Sequence, residues 1–218
     1  MTPAASLEKT DHRTIDLKTL VTWAAGHGRQ YPWRRTSGYP LAVAEILLQK
    51  TRGDAIEATW RDLIRRYPTP AHLARANVPY LERMVASLGL RHQRAARLKG
   101  MARSWTAFAG DRMPAGLGPY GAAIVRLSLD KRPDIAPVDG NIARVLTRFH
   151  GWSFDRGEPR KKPETRNAVS QLIGRRKPEN ATKIIYALVD LGATVCLPRS
   201  PNCSVCPIRR ECASRKGN

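Results

Sequence analysis

Apolar residues recur at helical spacing along most of this chain. Leu17, Leu20, Val21 and Trp23 open a first run, and an almost wholly apolar second run over 41–48 flows into Gln49-Lys50-Thr51. Recurrence every three to four residues marks the buried face of a helix, whereas strict alternation would mark a strand. The same period predicts helices over 54–66, 70–75, 78–87, 92–108, 119–129, 139–149, 163–175 and 178–193. Pro68, Pro70, Gly89, Gly110, Pro114, Gly116, Gly118, Pro133, Gly151 and Pro178 separate them, each a residue that ends or redirects a helix. No stretch alternates long enough to form a sheet, so the predicted fold class is all-α. Residues 1–16 read as a flexible lead-in, and 156–162 as an exposed polar connection.

Charge narrows the list of partners. The 218 residues include 38 Lys+Arg against 18 Asp+Glu, a formal net charge of +20. Such an excess favours a polyanion. The arginines run from Arg13 to Arg215, so the charge belongs to a basic globule rather than a tail. No run approaches the roughly 20 apolar residues of a membrane span, and the first residues lack the apolar core of a secretory signal. The expectation is a cytoplasmic, nucleoid-associated protein that works as a monomer, away from membranes.

All four cysteines, Cys196, Cys203, Cys206 and Cys212, lie near the C-terminus with the spacing C-x6-C-x2-C-x5-C. Disulfides are disfavoured for a chain of intracellular character. Four thiolates suit either tetrahedral zinc or an iron–sulfur cluster, and spacing alone leaves both open.

A glycine-rich segment, Pro114-Ala115-Gly116-Leu117-Gly118-Pro119-Tyr120-Gly121, follows the helix predicted over 92–108. Closely spaced glycines allow a tight turn with positive φ. Pro119 suits the first turn of the next helix, whose outward N–H groups can hold a phosphate. Asp139 follows in Pro137-Val138-Asp139-Gly140-Asn141. By itself it reads as a helix N-cap.

Taken in order, five segments resemble the helix-hairpin-helix DNA glycosylase superfamily: Tyr31-Pro32-Trp33-Arg34, Glu45-Ile46-Leu47-Leu48-Gln49-Lys50-Thr51, Gly89-Leu90-Arg91-His92, the hairpin with its Asp139, and the cysteine loop. The resemblance covers about residues 17–213. It implies two lobes: a six-helix lobe over 38–152 containing the hairpin, and a second joining 17–37 to 153–218. It also implies double-stranded DNA carrying a mismatch as partner and a [4Fe–4S] cluster on the four cysteines. Asp139 would stabilise an oxocarbenium-like sugar. Gln49 and Leu90 would enter the duplex behind an extruded base, and Gly116, Gly118 and Arg91 would meet the DNA backbone.

Position 120 separates the branches of this superfamily. Bifunctional members similar to endonuclease III carry a Lys there, whose amine forms a Schiff base. Tyr120 cannot, so the resemblance implies a monofunctional enzyme with little or no lyase activity. A Tyr here is similar to the T/G-mismatch thymine glycosylases, whereas Asp139-Gly140-Asn141 is more similar to the adenine glycosylases. Glu45 is compatible with both. Two departures from the family pattern bear on pocket shape: Ala115 replaces the hairpin proline, and the hairpin-to-Asp139 stretch is longer by one residue. With six residues after Cys212, the expectation is a weak preference for adenine opposite 8-oxoguanine. The expected reaction is excision of thymine or uracil opposite guanine. The alternatives are adenine or another modified pyrimidine as substrate, and a noncatalytic DNA-binding module.

Overall fold

Capping residues set where the helices begin. In the computed structural model, which describes residues 13–105, 114–131, 133 and 135–215, helix α1 (Leu17–His27) starts where Asp16 Oδ1 accepts the Lys18 and Thr19 N–H groups at 3.0 and 3.2 Å. Thr69 caps α4 (Pro70–Ala74) and Asn77 caps α5 (Val78–Met84) in the same way, each with a proline in the first turn. Between them in the chain lie α2 (Tyr39–Leu47) and α3 (Gly53–Arg66). Next come α6 (Arg91–Arg103), α7 (Pro119–Ser128), α8 (Gly140–His150), α9 (Pro163–Ile173) and α10 (Pro178–Thr194). Among the described residues there are also four short 3-10 turns, and no strand. None of the described helices is long and apolar enough to cross a membrane.

The helical period placed most boundaries within two residues, with two larger differences. The helix expected over 78–87 stops at Met84, and a separate 3-10 turn forms over Ala86–Leu88. Val85 leaves helical geometry there (φ −102°, ψ 5°). The helix expected over 92–108 ends at Arg103, where the Ser104 hydroxyl turns back onto the Gly100 and Met101 carbonyls. Such local side-chain bonds compete with continuation of the helix. Its expected last turn and Gly110 lie outside the described residues, as do residues 1–12. Ile15 is buried and Asp16 caps α1, so the packed fold begins ahead of residue 17.

Two helices form the centres of packing. Eight of the nine α2 residues are buried, and α2 packs on α3, α6 and α7. The 17-residue α10 packs on α1, α7, α8 and α9. Helix α7 touches both centres and joins them. At the α8–α10 crossing, Gly192 comes so close that a Cβ there would lie 2.6 Å from Asn141 Cβ. No larger residue fits without moving one helix.

The N-terminal segment is tied to α10 by a buried ion cluster. Asp190 is 2% exposed. It accepts from the Arg29 backbone N–H at 2.9 Å, Arg29 Nε at 2.7 Å, and Arg34 Nη1 and Nη2 at 2.7 and 2.9 Å. Burial alone would raise its carboxyl, but the hydrogen bonds and charges of Arg34 and Arg29 hold it below the usual aspartate range. Removing one partner of such a cluster strands the other charges, at about 3–5 kcal/mol. Asp190→Asn is therefore expected to lower unfolding stability by about 3 kcal/mol or more, read from the urea midpoint. Breaking the exposed Glu57–Arg61 pair with Glu57→Gln should change it by under about 0.5 kcal/mol.

Candidate functional site

Three carboxyl and phenol groups that lie far apart in the chain meet in one cleft of about 900 Å³. Glu45 comes from α2, Tyr120 from the first turn of α7, and Asp139 from the residue that opens α8. Asp139 does cap its helix, with Oδ1 accepting the Ile142 N–H at 2.8 Å. Its other oxygen accepts from Asn141 Nδ2 at 3.1 Å. The cap reading and the cleft reading are thus both true of this residue. Capping fixes the carboxylate, and its half-exposed position leaves it facing the cleft.

The two acids are treated differently by their surroundings. Glu45 is 8% exposed on an otherwise apolar helix. Burial pushes its carboxyl up to about 8, with Asp139 adding to the shift and Arg34 opposing it. At neutral pH Glu45 is a neutral acid able to donate a hydrogen bond. Burial, reinforced by Glu45, Asp139 and Tyr186 and opposed by Arg34, also drives the Tyr120 phenol well above its ordinary value, so it keeps its proton.

The hairpin turn sits beside this cleft. Gly116 has φ +85°, and a Cβ on it would lie 2.8 Å from the Arg97 carbonyl oxygen. Only glycine suits that position. Gly118, by contrast, is extended (φ −76°) with open space around it. Of the two glycines, only Gly116 uses the positive φ that such a turn allows. Gly118 lines the cleft and starts α7 without a side-chain cap, which leaves that helix's first N–H groups as open donors. Gln49, also a cleft residue, donates from Nε2 to the Gly116 carbonyl at 2.9 Å and accepts from Arg97 Nη1. In the free protein its amide braces the hairpin.

Leu90 and Arg91 stand outside the cleft lining. Leu90 is 44% exposed and left-handed (φ 52°), which argues against ordinary core packing. Arg91 is exposed and donates from Nε to His92 at 3.3 Å. The buried Arg94 links this corner to Gln49. Its guanidinium donates to the carbonyls of Ile46, Leu47, Gln49, Leu88 and Gly89 and to the Thr51 hydroxyl. One side chain thereby sets the spacing between the 48–51 turn and the 88–90 loop.

Several cleft residues escaped the sequence reading. Arg34 stands in the sequence only as part of the Tyr31-Pro32-Trp33-Arg34 motif, yet it lies over Tyr186 with its guanidinium carbon 4.6 Å from the ring centroid. Tyr186 lines the cleft from α10, and its hydroxyl is buried with no hydrogen-bond partner among the described residues. Arg160 reaches the same cleft from the connection between α8 and α9. Nothing in local spacing marks Tyr186 or Arg160, because the contacts that matter come from distant segments.

The four cysteines are free and half-buried, and all line one separate cavity of about 210 Å³. Among the described residues, no three Cys, His, Asp or Glu side chains converge closely enough to hold a single metal ion. A hydrogen-bonded chain joins this loop to the cleft. Arg144 donates from Nε to the Cys196 carbonyl at 2.7 Å and from Nη2 to Asn141 Oδ1 at 2.8 Å, and Asn141 in turn donates to Asp139.

Comparison with known proteins agrees with this geometry. A family profile described as the HhH-GPD superfamily base excision DNA repair protein matches residues 43–173. The thymine/uracil-DNA glycosylase of Pyrobaculum aerophilum is 31% identical over 201 residues, covering 87% of this chain and 86% of that protein. The adenine DNA glycosylase of Mycobacterium tuberculosis is 33% identical over 210 residues, covering 91% and 67% respectively. Among solved structures, a thermostable thymine-DNA glycosylase superposes with a TM-score of 0.76 at 26% identity, covering 91% of this chain and 94% of its own. A non-covalent endonuclease III–DNA complex superposes at 0.66 and 17% identity over 91% and 92%, a likeness of fold alone.

Glu45 supplies a test that needs no substrate. Its folded value near 8 lies above the ordinary 4.5, so between those values the folded state holds the proton more tightly than the unfolded chain. Stability must then fall as pH rises through that window. Glu45→Gln keeps the shape of the neutral acid. It is expected to remove on the order of a few kcal/mol of destabilisation at pH 8.5. Thermal melts at pH 5 and pH 8.5 should show a smaller drop for Glu45→Gln than for the wild type.

Proposed function

The chain belongs to the HhH-GPD superfamily of base excision DNA repair proteins, and from that premise we propose a monofunctional mismatch glycosylase that excises thymine or uracil opposite guanine. The protein is a DNA glycosylase of base excision repair. The observation that carries the finer reading is the convergence of Asp139, Glu45, Tyr120 and Tyr186 on one cleft beside the hairpin.

Base choice follows from hydrogen-bond chemistry. Thymine and uracil present two carbonyl acceptors. The cleft offers a carboxylic acid that stays protonated at neutral pH, at Glu45, and a buried phenol without a partner, at Tyr186. A buried donor left unpaired costs free energy, and a carbonyl-bearing base would satisfy it. Adenine offers ring-nitrogen acceptors but no carbonyl, so Glu45 is compatible with both and the paired carbonyls are what favour the pyrimidines. The relatives named for thymine and uracil support this choice, and those named for adenine mark the alternative. Another modified pyrimidine with the same carbonyls fits the same chemistry.

In the reaction, the extruded base would sit among Tyr120, Tyr186 and Glu45, with its sugar toward Asp139. As the N-glycosidic bond breaks, its electron pair moves onto the base, and the Glu45 acid and the Tyr186 phenol would donate hydrogen bonds to the carbonyls that gain charge. The Asp139 carboxylate would stabilise the positive sugar while water adds at C1′, and the proton that water loses ends on the departing base anion. Position 120 holds a phenol, which forms no imine. The lysine lining the cleft among the described residues, Lys50, comes from the 48–51 turn rather than from the hairpin. This supports an abasic site as product, with little or no strand cleavage. Gly116, Gly118 and Arg91 would contact the backbone, while Leu90, with Gln49 once freed from Gly116, would fill the vacated stack. The proposed lobes, 38–152 and 17–37 with 153–218, would meet at this cleft. One chain supplies every group of the site, which suits a monomer.

The four cysteines lining one cavity support the cluster that the family resemblance implies. Cys196, Cys203, Cys206 and Cys212 surround a shared space, as thiolates holding a [4Fe–4S] cluster would. When bound, the cluster would fix the loop and so the Cys196 carbonyl that Arg144 uses.

Duplexes carrying T:G, U:G, A:G and A:8-oxoG, treated with alkali after incubation, test the reading. Product is expected chiefly from T:G and U:G, and product from adenine duplexes alone would overturn the base assignment. Asp139→Asn should abolish cleavage while duplex binding survives. Tyr186→Phe should slow T:G excision by about 10-fold, the worth of one good hydrogen bond. Separately, the purified protein should be brown with broad visible absorbance and contain about four irons per chain; a colourless, zinc-loaded protein would reject the cluster.

A further inference from the structure

The connection between α8 and α9 does more than join two helices. It is polar and exposed, yet it folds back so that Arg160 lines the cleft with Asp139 and Asn141. Arg160 Nε donates to Glu158 Oε2 at 2.5 Å, while its two terminal nitrogens have no hydrogen-bond partner among the described residues. The side chain is 54% exposed. Its charged form is favoured first by the hydrogen bond and charge of Glu158 and further by Asp139, with slight burial acting the other way. The other arginines of the cleft are differently engaged. Arg29 and Arg34 hold Asp190, and Arg52 pairs with Asp54 in the segment after α2.

A nucleotide whose sugar faces Asp139 carries a phosphodiester on each side of that sugar. Those anions must lie at the rim, where Arg160 stands with two unused donors. A guanidinium is suited to bidentate binding of phosphate oxygens. We propose that Arg160 binds a phosphodiester flanking the extruded nucleotide, with Glu158 orienting the guanidinium toward the cleft. The nucleotide is then held from two elements, the hairpin amides at the start of α7 and the turn before α9. This assignment rests on the glycosylase reading above.

Binding to a duplex with a tetrahydrofuran abasic analogue opposite guanine tests it, as a function of salt. Each phosphate contact contributes about 0.9 to the slope of log affinity against log salt. Arg160→Gln should reduce the slope by about that amount and weaken binding about 10-fold at low salt, with an unchanged melting temperature. Arg160→Lys should restore the slope. Replacing one flanking phosphate at a time by a neutral methylphosphonate should weaken the wild type about 10-fold at one position, and Arg160→Gln should be insensitive there. If the wild type releases no base from any duplex, the glycosylase reading falls. If the wild type cleaves, but Arg160→Gln keeps the full salt slope and full sensitivity at both phosphates, the Arg160 assignment alone is overturned.

Discussion

The carboxylate of Asp190 fixes the geometry on which the cleft depends. It sits on the central α10 and takes four hydrogen bonds from Arg29 and Arg34, residues more than 150 positions earlier in the chain. Neither side can shift alone without leaving a charge in the interior uncompensated. The cluster thus locks the segment after α1 against α10. It places Arg34 over Tyr186 and within electrostatic reach of Glu45 and Tyr120.

Around that anchor, three acids have three different fates. Asp190 is buried but surrounded by guanidinium donors, and it stays anionic. Glu45 is buried with only the more distant help of Arg34, and it holds its proton into the neutral range. Asp139 stays half-exposed, fixed by the start of α8 and by Asn141. Desolvation and partners thus make one carboxyl a structural anion and another a neutral donor. Divided roles of this kind suit a reaction in which a leaving base gains negative charge while a sugar becomes positive.

The α8 helix links the two ends of the proposed chemistry. Its N-terminus carries Asp139, and its Arg144 and Arg148 hold the cysteine loop through carbonyls of Cys196, Leu197 and Pro198. A disturbance of the loop would reach Asp139 through Arg144 and Asn141, a short path of directed hydrogen bonds. The likeness to a thermostable thymine-DNA glycosylase over most of both chains fits this shared frame.

Much of this protein was legible in its sequence because the signals are local. Helical period, the cap at Asp139 and the tight turn near Gly116 depend on neighbours a few residues away. The sequence therefore determined the all-α class, most helix boundaries, the hairpin, and the order of segments that marks the superfamily. By local pattern alone it left undecided whether Asp139 only caps a helix, and which of Gly116 and Gly118 takes the positive φ. Only the tertiary structure decided that Glu45 is neutral, that the Tyr186 hydroxyl has no partner among the described residues, that Gln49 braces the hairpin, and that Arg160 stands at the cleft. The reason is physical. Desolvation and pairing depend on what packs around a group, and those neighbours come from elements tens to more than a hundred residues away.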